Sequence, residues 1–434
     1  MTMTDAELLD RRKRVLRGLR LYYDVPFHPV RGEGQWLYDS AGRRFLDAYN
    51  NVPHVGHGHP HVVAALCGQA GRMNTNTRYL FEPIVEYAER LVGTMPPGLD
   101  AVMFTCTGSE ANDLAWRLAR NFTGNRGVMT THNGYHGNTT FLDSIDGSSI
   151  KANRETPDWW TTVPAPRDES EQPDLADAGG GASYSTAYTS AIALLADRGY
   201  RPAALFLEPF FCTDGVRLPR TGSLTQAVDL VRKAGALVIA DEVQAGLARS
   251  GSHTWSFQRL GFDPDIVVMG KPMGNGHPIG IVVARSEIVD AFYAKDRYFN
   301  TFAGNPVSCA VGLAVLDVVE KENLRENAQH VGAALKRRLQ ALADRHPLIG
   351  AVRGQGLLLG IELTDRRTRK PASKAARWVI NDLCRRGVLV GLTGPDRNSR
   401  NILKIRPPLV FDETAVELLV TTLDETLAHC EIEP

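Results

Sequence analysis

From Ala101 to Ala284 the chain alternates short apolar runs with amphipathic stretches, and this alternation constrains the fold more than any other feature. Ala101-Val-Met-Phe-Thr105 and Gly127-Val-Met-Thr-Thr131 read as strands on either side of a helix from Glu110 to Asn121. Ala203-Ala-Leu-Phe-Leu-Glu208 reads as a third strand, followed by a helix from Leu224 to Ala234. Ala236-Leu-Val-Ile-Ala-Asp241, Ile266–Met269 and Ile279–Ala284 continue the series. Strands that alternate with helices pair in parallel through helical crossovers. The expected fold class is therefore α/β, with a mostly parallel sheet flanked by helices.

The ends of the chain follow another pattern. Long helical periodicity runs from Pro306 to Glu322 and from Leu324 to Ala343. A strand pattern over Gly356–Leu363 follows, then a helix near Ala375–Arg386, short strands around Val388–Val390 and Ile402–Ile405, and a last helix over Glu413–His429. Near the N-terminus, Gln35-Trp-Leu-Tyr38 and Arg44-Phe-Leu-Asp47 look like hairpin strands. The expected division is a large domain over 54–323 and a smaller α+β domain formed by 1–53 with 324–434. Residues 144–186 are rich in Pro, Gly, Ser and charge; a loop of that length is either a surface loop or an active-site cover.

Composition narrows the function classes. Lys plus Arg and Asp plus Glu both number 49, so net charge is zero, and no basic stripe stands out to hold nucleic acid. No apolar stretch reaches the roughly 20 residues of a membrane helix, and the N-terminus lacks a secretory apolar core. The six cysteines are scattered, with neither disulfide nor metal spacing, and Cys106 reads as a small core residue. A cytoplasmic setting, no metal and no membrane are expected.

Chemistry concentrates where strands end. Asp241 and Lys271 close two neighbouring apolar runs, and open α/β sheets bind ligands at that edge. Pyridoxal phosphate (PLP) needs this pair: an amine to hold its aldehyde and a carboxylate to face its pyridine nitrogen. Taken alone, the pair also fits a helix-capping Asp and a solvated Lys. Thr105-Cys-Thr-Gly108-Ser109-Glu110-Ala-Asn112 joins the first strand to its helix. Gly108, Ser109 and the helix N-terminus suit a phosphate, although an N-cap explains them equally well. In Asn133-Gly-Tyr135-His136-Gly137, Tyr135 either stacks on a flat ring or forms a buried pair with His136. Glu208 either orients the ring's surroundings and a nearby cation, or is a satisfied buried carboxylate. Gln244, three residues after Asp241, is within reach of a ring hydroxyl. Pro272 keeps Lys271 in extended or turn geometry, and once freed Lys271 is a base at the substrate's α carbon.

With these motifs assembled, the chain resembles the class III, fold-type I PLP enzymes of the ornithine, acetylornithine and β-alanine–pyruvate aminotransferase group. Gly108-Ser-Glu-Ala-Asn112, Tyr135-His-Gly137, Asp241-Glu-Val-Gln244, Lys271 and Thr301-Phe-Ala-Gly-Asn-Pro306 stand in family order. The resemblance implies PLP on Lys271, contacts from Gly108, Ser109, Tyr135, His136, Glu208, Asp241 and Gln244, and a homodimer in which Thr301 reaches the partner's PLP phosphate. A narrower resemblance is to the phospholyase branch, which includes ethanolamine-phosphate phospho-lyases. It rests on Asn50-Asn-Val-Pro-His-Val-Gly-His57, Asn74-Thr-Asn-Thr-Arg78, Gly270-Lys-Pro-Met-Gly-Asn-Gly-His277 and Leu403-Lys-Ile-Arg-Pro-Pro408. Many class III aminotransferases have an arginine where Lys404 stands, and that arginine grips an α-carboxylate with a bidentate fork. Lysine suits phosphate as a point charge; Arg406 adds a second cation and Arg20 a third, unless the two arginines form surface or interdomain ion pairs. The branch thus implies elimination of phosphate from a phosphorylated amine such as O-phosphoethanolamine. The alternative is a class III aminotransferase acting on an amine or ω-amino acid. Val163-Pro-Ala-Pro166 and Glu208-Pro-Phe-Phe-Cys-Thr-Asp214 depart from the branch.

Overall fold

The computed structural model describes residues 3–149, 156–168, 180–394 and 399–430. Its centre is a seven-stranded sheet in the order Ala101–Thr105, Gly280–Ala284, Ile266–Met269, Leu237–Asp241, Pro202–Leu207, Gly127–Thr131, Trp160–Val163. All the strands run parallel except Gly280–Ala284, which is antiparallel to both neighbours. The alternation had implied parallel pairing there too. The link from Met269 to Gly280 holds only a short turn over Lys271–Gly274, too little chain for the dozen or more residues of a crossover, so the strand doubles back.

Side chains alternate across this sheet. Val267, Met269, Ile281 and Val283 enter one core, shared with Val307, Val311 and Val315 of the helix Pro306–Lys321. Ile266, Val268, Val282 and Ala284 enter the opposite core, against Leu114, Ala115 and Leu118 of the helix Gly108–Thr123. Burial on both faces is why these strands read as continuous apolar runs.

Part of the 144–186 stretch is ordered into the sheet: Trp160–Val163 is its edge strand, parallel to Gly127–Thr131. Only four residues long and beside a proline-rich stretch, it carries too little periodicity to be recognised alone. Residues 180–186 also depart from a loop, since they open the helix Gly180–Asp197, while 150–155 and 169–179 lie outside the described residues.

Two smaller sheets flank the centre. Pro29–Glu33, Trp36–Asp39 and Arg44–Asp47 form a meander that Val388–Leu389 extends in parallel. Ile349–Gln355, Leu358–Leu363, Ile402–Ile405 and Gly391–Thr393 form an antiparallel sheet. Gly360 pairs with Lys404 in that sheet. Among the described residues no helix is long and apolar enough to cross a membrane.

Candidate active site

Parallel pairing brings the carboxyl ends of the central strands to one edge, and a cavity of about 260 Å³ opens there. Gly108, Ser109, Tyr135, His136, Gly137, Glu208, Asp241, Gln244 and Lys271 all line it. The first and last of these residues lie 163 positions apart in the sequence. The sheet brings them together because each follows directly from a strand end.

The helix after Ala101–Thr105 begins at Gly108, and its cap is Thr107, not Ser109. The Thr107 hydroxyl accepts from the Glu110 N–H, while the Glu110 carboxylate accepts from the N–H groups of Cys106 and Thr107. This capping box leaves Ser109 to the cavity. The wall is tight. A Cβ on Gly108 would stand 2.8 Å from the Val243 methyls, and one on Gly137 would stand 2.7 Å from Ser109 Oγ. Gly137 also has φ +146°, a conformation that side chains resist.

Asp241 is buried and held from three sides. Its Oδ2 accepts from Asn112 Nδ2 at 2.9 Å and lies 2.8 Å from His136 Nδ1, and its Oδ1 accepts from the Val243 N–H at 3.1 Å. Every partner is a donor, which is what a carboxylate requires. Asn112 sits one turn into the helix from Gly108 and donates also to the His136 carbonyl, so it ties cradle, ring turn and acid together. Lys271 begins a tight turn ahead of Pro272 and presents its surface to the cavity. The protein around it depresses its ammonium, first through burial and then through Arg406, against the opposing pull of Asp241 and Glu208. A lysine that gives up its proton readily suits attack on an aldehyde and proton abstraction. Glu208 is buried; Cys212 and Phe210 donate their N–H groups to it, and burial holds its carboxyl above the usual range.

Lys404 and Arg406 stand two residues apart at the end of the strand Ile402–Ile405 and meet at Gln244. Arg406 donates to Gln244 Oε1 at 2.5 Å and Lys404 donates to the same oxygen at 3.4 Å. Arg406 also donates to Asn51 Oδ1 at 3.0 Å and lies 4.9 Å from the Tyr49 ring centre. Burial first, and Arg406 second, push the Lys404 ammonium down to about 7. Among the described residues neither cation forms an ion pair, so Arg406 is not the surface or interdomain pair that sequence left open. Two expected residues lie elsewhere. Arg20 is exposed ahead of Tyr22, with no hydrogen bond to Lys404 or Arg406 among the described residues, and Thr301 is exposed outside the cavity lining. Asn51 belongs to a quoted motif, yet its contact with Arg406 bridges residues 355 apart and had no local signal.

The lining of the cavity fits PLP. Asp241 offers a buried acceptor, Lys271 an amine in the same cavity, Tyr135 a ring in its lining, and the tight glycine turn at a helix N-terminus a place that would suit an anion. A mixed sheet with this edge constellation defines a PLP-dependent enzyme of fold type I. The family profile for class-III aminotransferases matches residues 21–427, and the chain belongs to that family. It is 41% identical over 422 residues to an alanine–glyoxylate aminotransferase 2-like protein of Drosophila melanogaster, across 94% of this chain and 84% of the fly protein. It is 39% identical to ethanolamine-phosphate phospho-lyase homolog 1 of Caenorhabditis elegans, across 97% of this chain and 93% of the worm protein. Its fold superposes on a phospholyase from Arthrobacter in complex with phosphoethanolamine, with a TM-score of 0.91 and 40% identity over 97% of this chain and 99% of the other.

Proposed function

We propose that this enzyme is a phospho-lyase that eliminates phosphate from a phosphorylated amine such as O-phosphoethanolamine. The observation that carries the reading is the pair Lys404 and Arg406: buried or half-buried cations beside the PLP cavity, bonded only to neutral amides among the described residues. Uncompensated positive charge in a desolvated place calls for an anionic ligand. The phosphoethanolamine carried by the Arthrobacter phospholyase, and the name of the worm relative, support the same choice.

PLP, when bound, supplies an electron sink conjugated to the amine-bearing carbon of the substrate. The chain supplies the rest. Asp241, held in the cavity wall, would face the ring nitrogen with a negative charge and favour its protonated form. Lys271 takes the proton from the substrate's α carbon. The C–O bond to phosphate then breaks, its electron pair leaving with the phosphate oxygen, and Lys404 and Arg406 stabilise the charge that develops there. With one water consumed, phosphoethanolamine yields acetaldehyde, ammonia and inorganic phosphate.

We further infer a homodimer in which Thr301 reaches the partner's PLP phosphate. Its neighbour Phe302 is 71% exposed and Leu80 is fully exposed, which supports a covering subunit on that face. The division into a large body over 54–323 and a smaller body from 1–53 with 324–434 belongs to the same proposal, as does a small role for Arg20 at the phosphate end.

The test is direct. Purified enzyme, given phosphoethanolamine and no keto acid, should release phosphate and acetaldehyde together through many turnovers. No phosphate release sinks the reading. The aminotransferase alternative, favoured by the name of the fly relative, predicts a single turnover that stalls until a keto acid is added.

A further inference from the structure

Gln244 is the one residue among those described that both lines the PLP cavity and bonds Lys404 and Arg406. Arginine and protonated lysine only donate, so the amide end facing them is the oxygen. The NH2 is therefore the end left for the cavity, and it has no hydrogen bond among the described residues. Gln244 is also fixed at its backbone: its carbonyl accepts from Asn51 Nδ2 at 3.3 Å, and Asn51 Oδ1 accepts in turn from Arg406 at 3.0 Å. The amide is thus clamped between a cofactor pocket and a cation pair.

We propose that Gln244 is a positioning residue that reports occupancy of the phosphate subsite to the cofactor. This rests on the reading of Lys404 and Arg406 as the phosphate-binding pair. In the free enzyme Gln244 Oε1 occupies both cations. A phosphate oxygen competes for the same N–H donors and, bearing more charge, displaces the amide. Released Gln244 rotates, and this would change what its NH2 offers to a cofactor ring held in the cavity. Binding of the leaving group and the electronics of the ring are then coupled through one side chain. Glu208 and Cys212, which face Lys404 from the neighbouring loop, and Lys271 across the cavity set the surrounding charge but do not bond this oxygen.

The experiment titrates PLP-loaded enzyme with inorganic phosphate, reading heat by calorimetry and the visible absorbance of bound PLP in parallel. The wild type should give a saturable heat and a shift of the absorbance maximum with the same midpoint. Gln244→Met keeps length but has no donor and only a weak acceptor; it should bind phosphate several-fold more tightly, because the competitor is weakened, and lose the absorbance shift. Should that variant not retain PLP, Arg406→Lys serves: with one of the clamping forks removed, its phosphate-free spectrum should move towards that of the phosphate-saturated wild type. No heat with the wild type overturns the phosphate-site reading itself. Heat without a shift, an unaltered shift in Gln244→Met, or an unmoved spectrum in Arg406→Lys leaves that reading standing and overturns the coupling.

Discussion

His136 Nδ1 lies 2.8 Å from Asp241 Oδ2, with both side chains buried. A carboxylate accepts, so Nδ1 carries the proton, and the histidine orients the acid rather than competing with it. Asn112 completes the support from the helix side. The acid expected to face the cofactor's ring nitrogen is thus fixed by two elements that follow different strands.

Asp241→Asn keeps the shape and removes the charge. Steady-state phosphate release should fall roughly a hundredfold to a thousandfold, the usual scale for losing one preorganised electrostatic group. Asn112→Ala leaves Asp241 Oδ2 and the His136 carbonyl each short of a donor, and should cost about 1–3 kcal/mol in urea unfolding with a smaller loss of turnover.

Lys404, pushed down to about 7, is charged below that pH and neutral above it in the ligand-free enzyme. KM for a phosphorylated amine should therefore rise as pH climbs through about 7. Lys404→Arg, whose charge does not titrate in this range, should flatten that limb. An unchanged limb removes Lys404 from phosphate recognition. Stability runs the other way. The folded value is below the ordinary 10.5, so unfolding takes up a proton between about 7 and 10.5. Stability owed to this group then rises with pH across that window and is least below it. Lys404→Met should remove that slope from the urea midpoints.

Gly137→Ala would place a Cβ 2.6 Å from Leu142 Cδ1 and 2.7 Å from Ser109 Oγ, at a φ of +146°. Overpacking of this kind costs about 1–3 kcal/mol, and here it pushes Ser109 out of the cradle. Affinity for PLP, measured by titrating the cofactor-free enzyme, should drop roughly tenfold or more. Equal affinity in the variant would show that Ser109 does not contact the cofactor phosphate.

Arg249 is 1% exposed and donates to the carbonyls of Leu357 and Pro407 and to His54 Nδ1. His54 Nε2 in turn meets the Leu247 carbonyl at 2.6 Å, so this histidine is held neutral, and burial lowers its basicity further. Arg249→Ala strands three buried acceptors and should cost more than about 3 kcal/mol in chemical unfolding, with turnover per folded molecule less affected. A loss under 1 kcal/mol, on the order of a surface change, would contradict the stapling role.

Much of the site was readable because its residues follow strands directly. Asp241 and Lys271 end apolar runs, and Gly108 opens a helix after one, so local pattern and chemistry coincide. The alternatives left open were also of a kind that only contacts resolve. Thr107 caps the helix, which frees Ser109; Asp241 is the acceptor of three donors rather than a cap. The antiparallel turn of Gly280–Ala284 escaped because an apolar run carries no direction; only the length of its connection does.

Alternation was enough to establish an α/β fold whose strand ends converge by topology alone, and motif order carried the family resemblance that implied PLP. What tertiary structure decided was how Lys404 and Arg406 connect to that chemistry. Gln244 lies 162 residues from Arg406, a separation over which no periodicity or spacing carries information. Their meeting depends on how the C-terminal sheet packs against the central one, and burial there depresses the Lys404 ammonium as it would not depress a solvated charge.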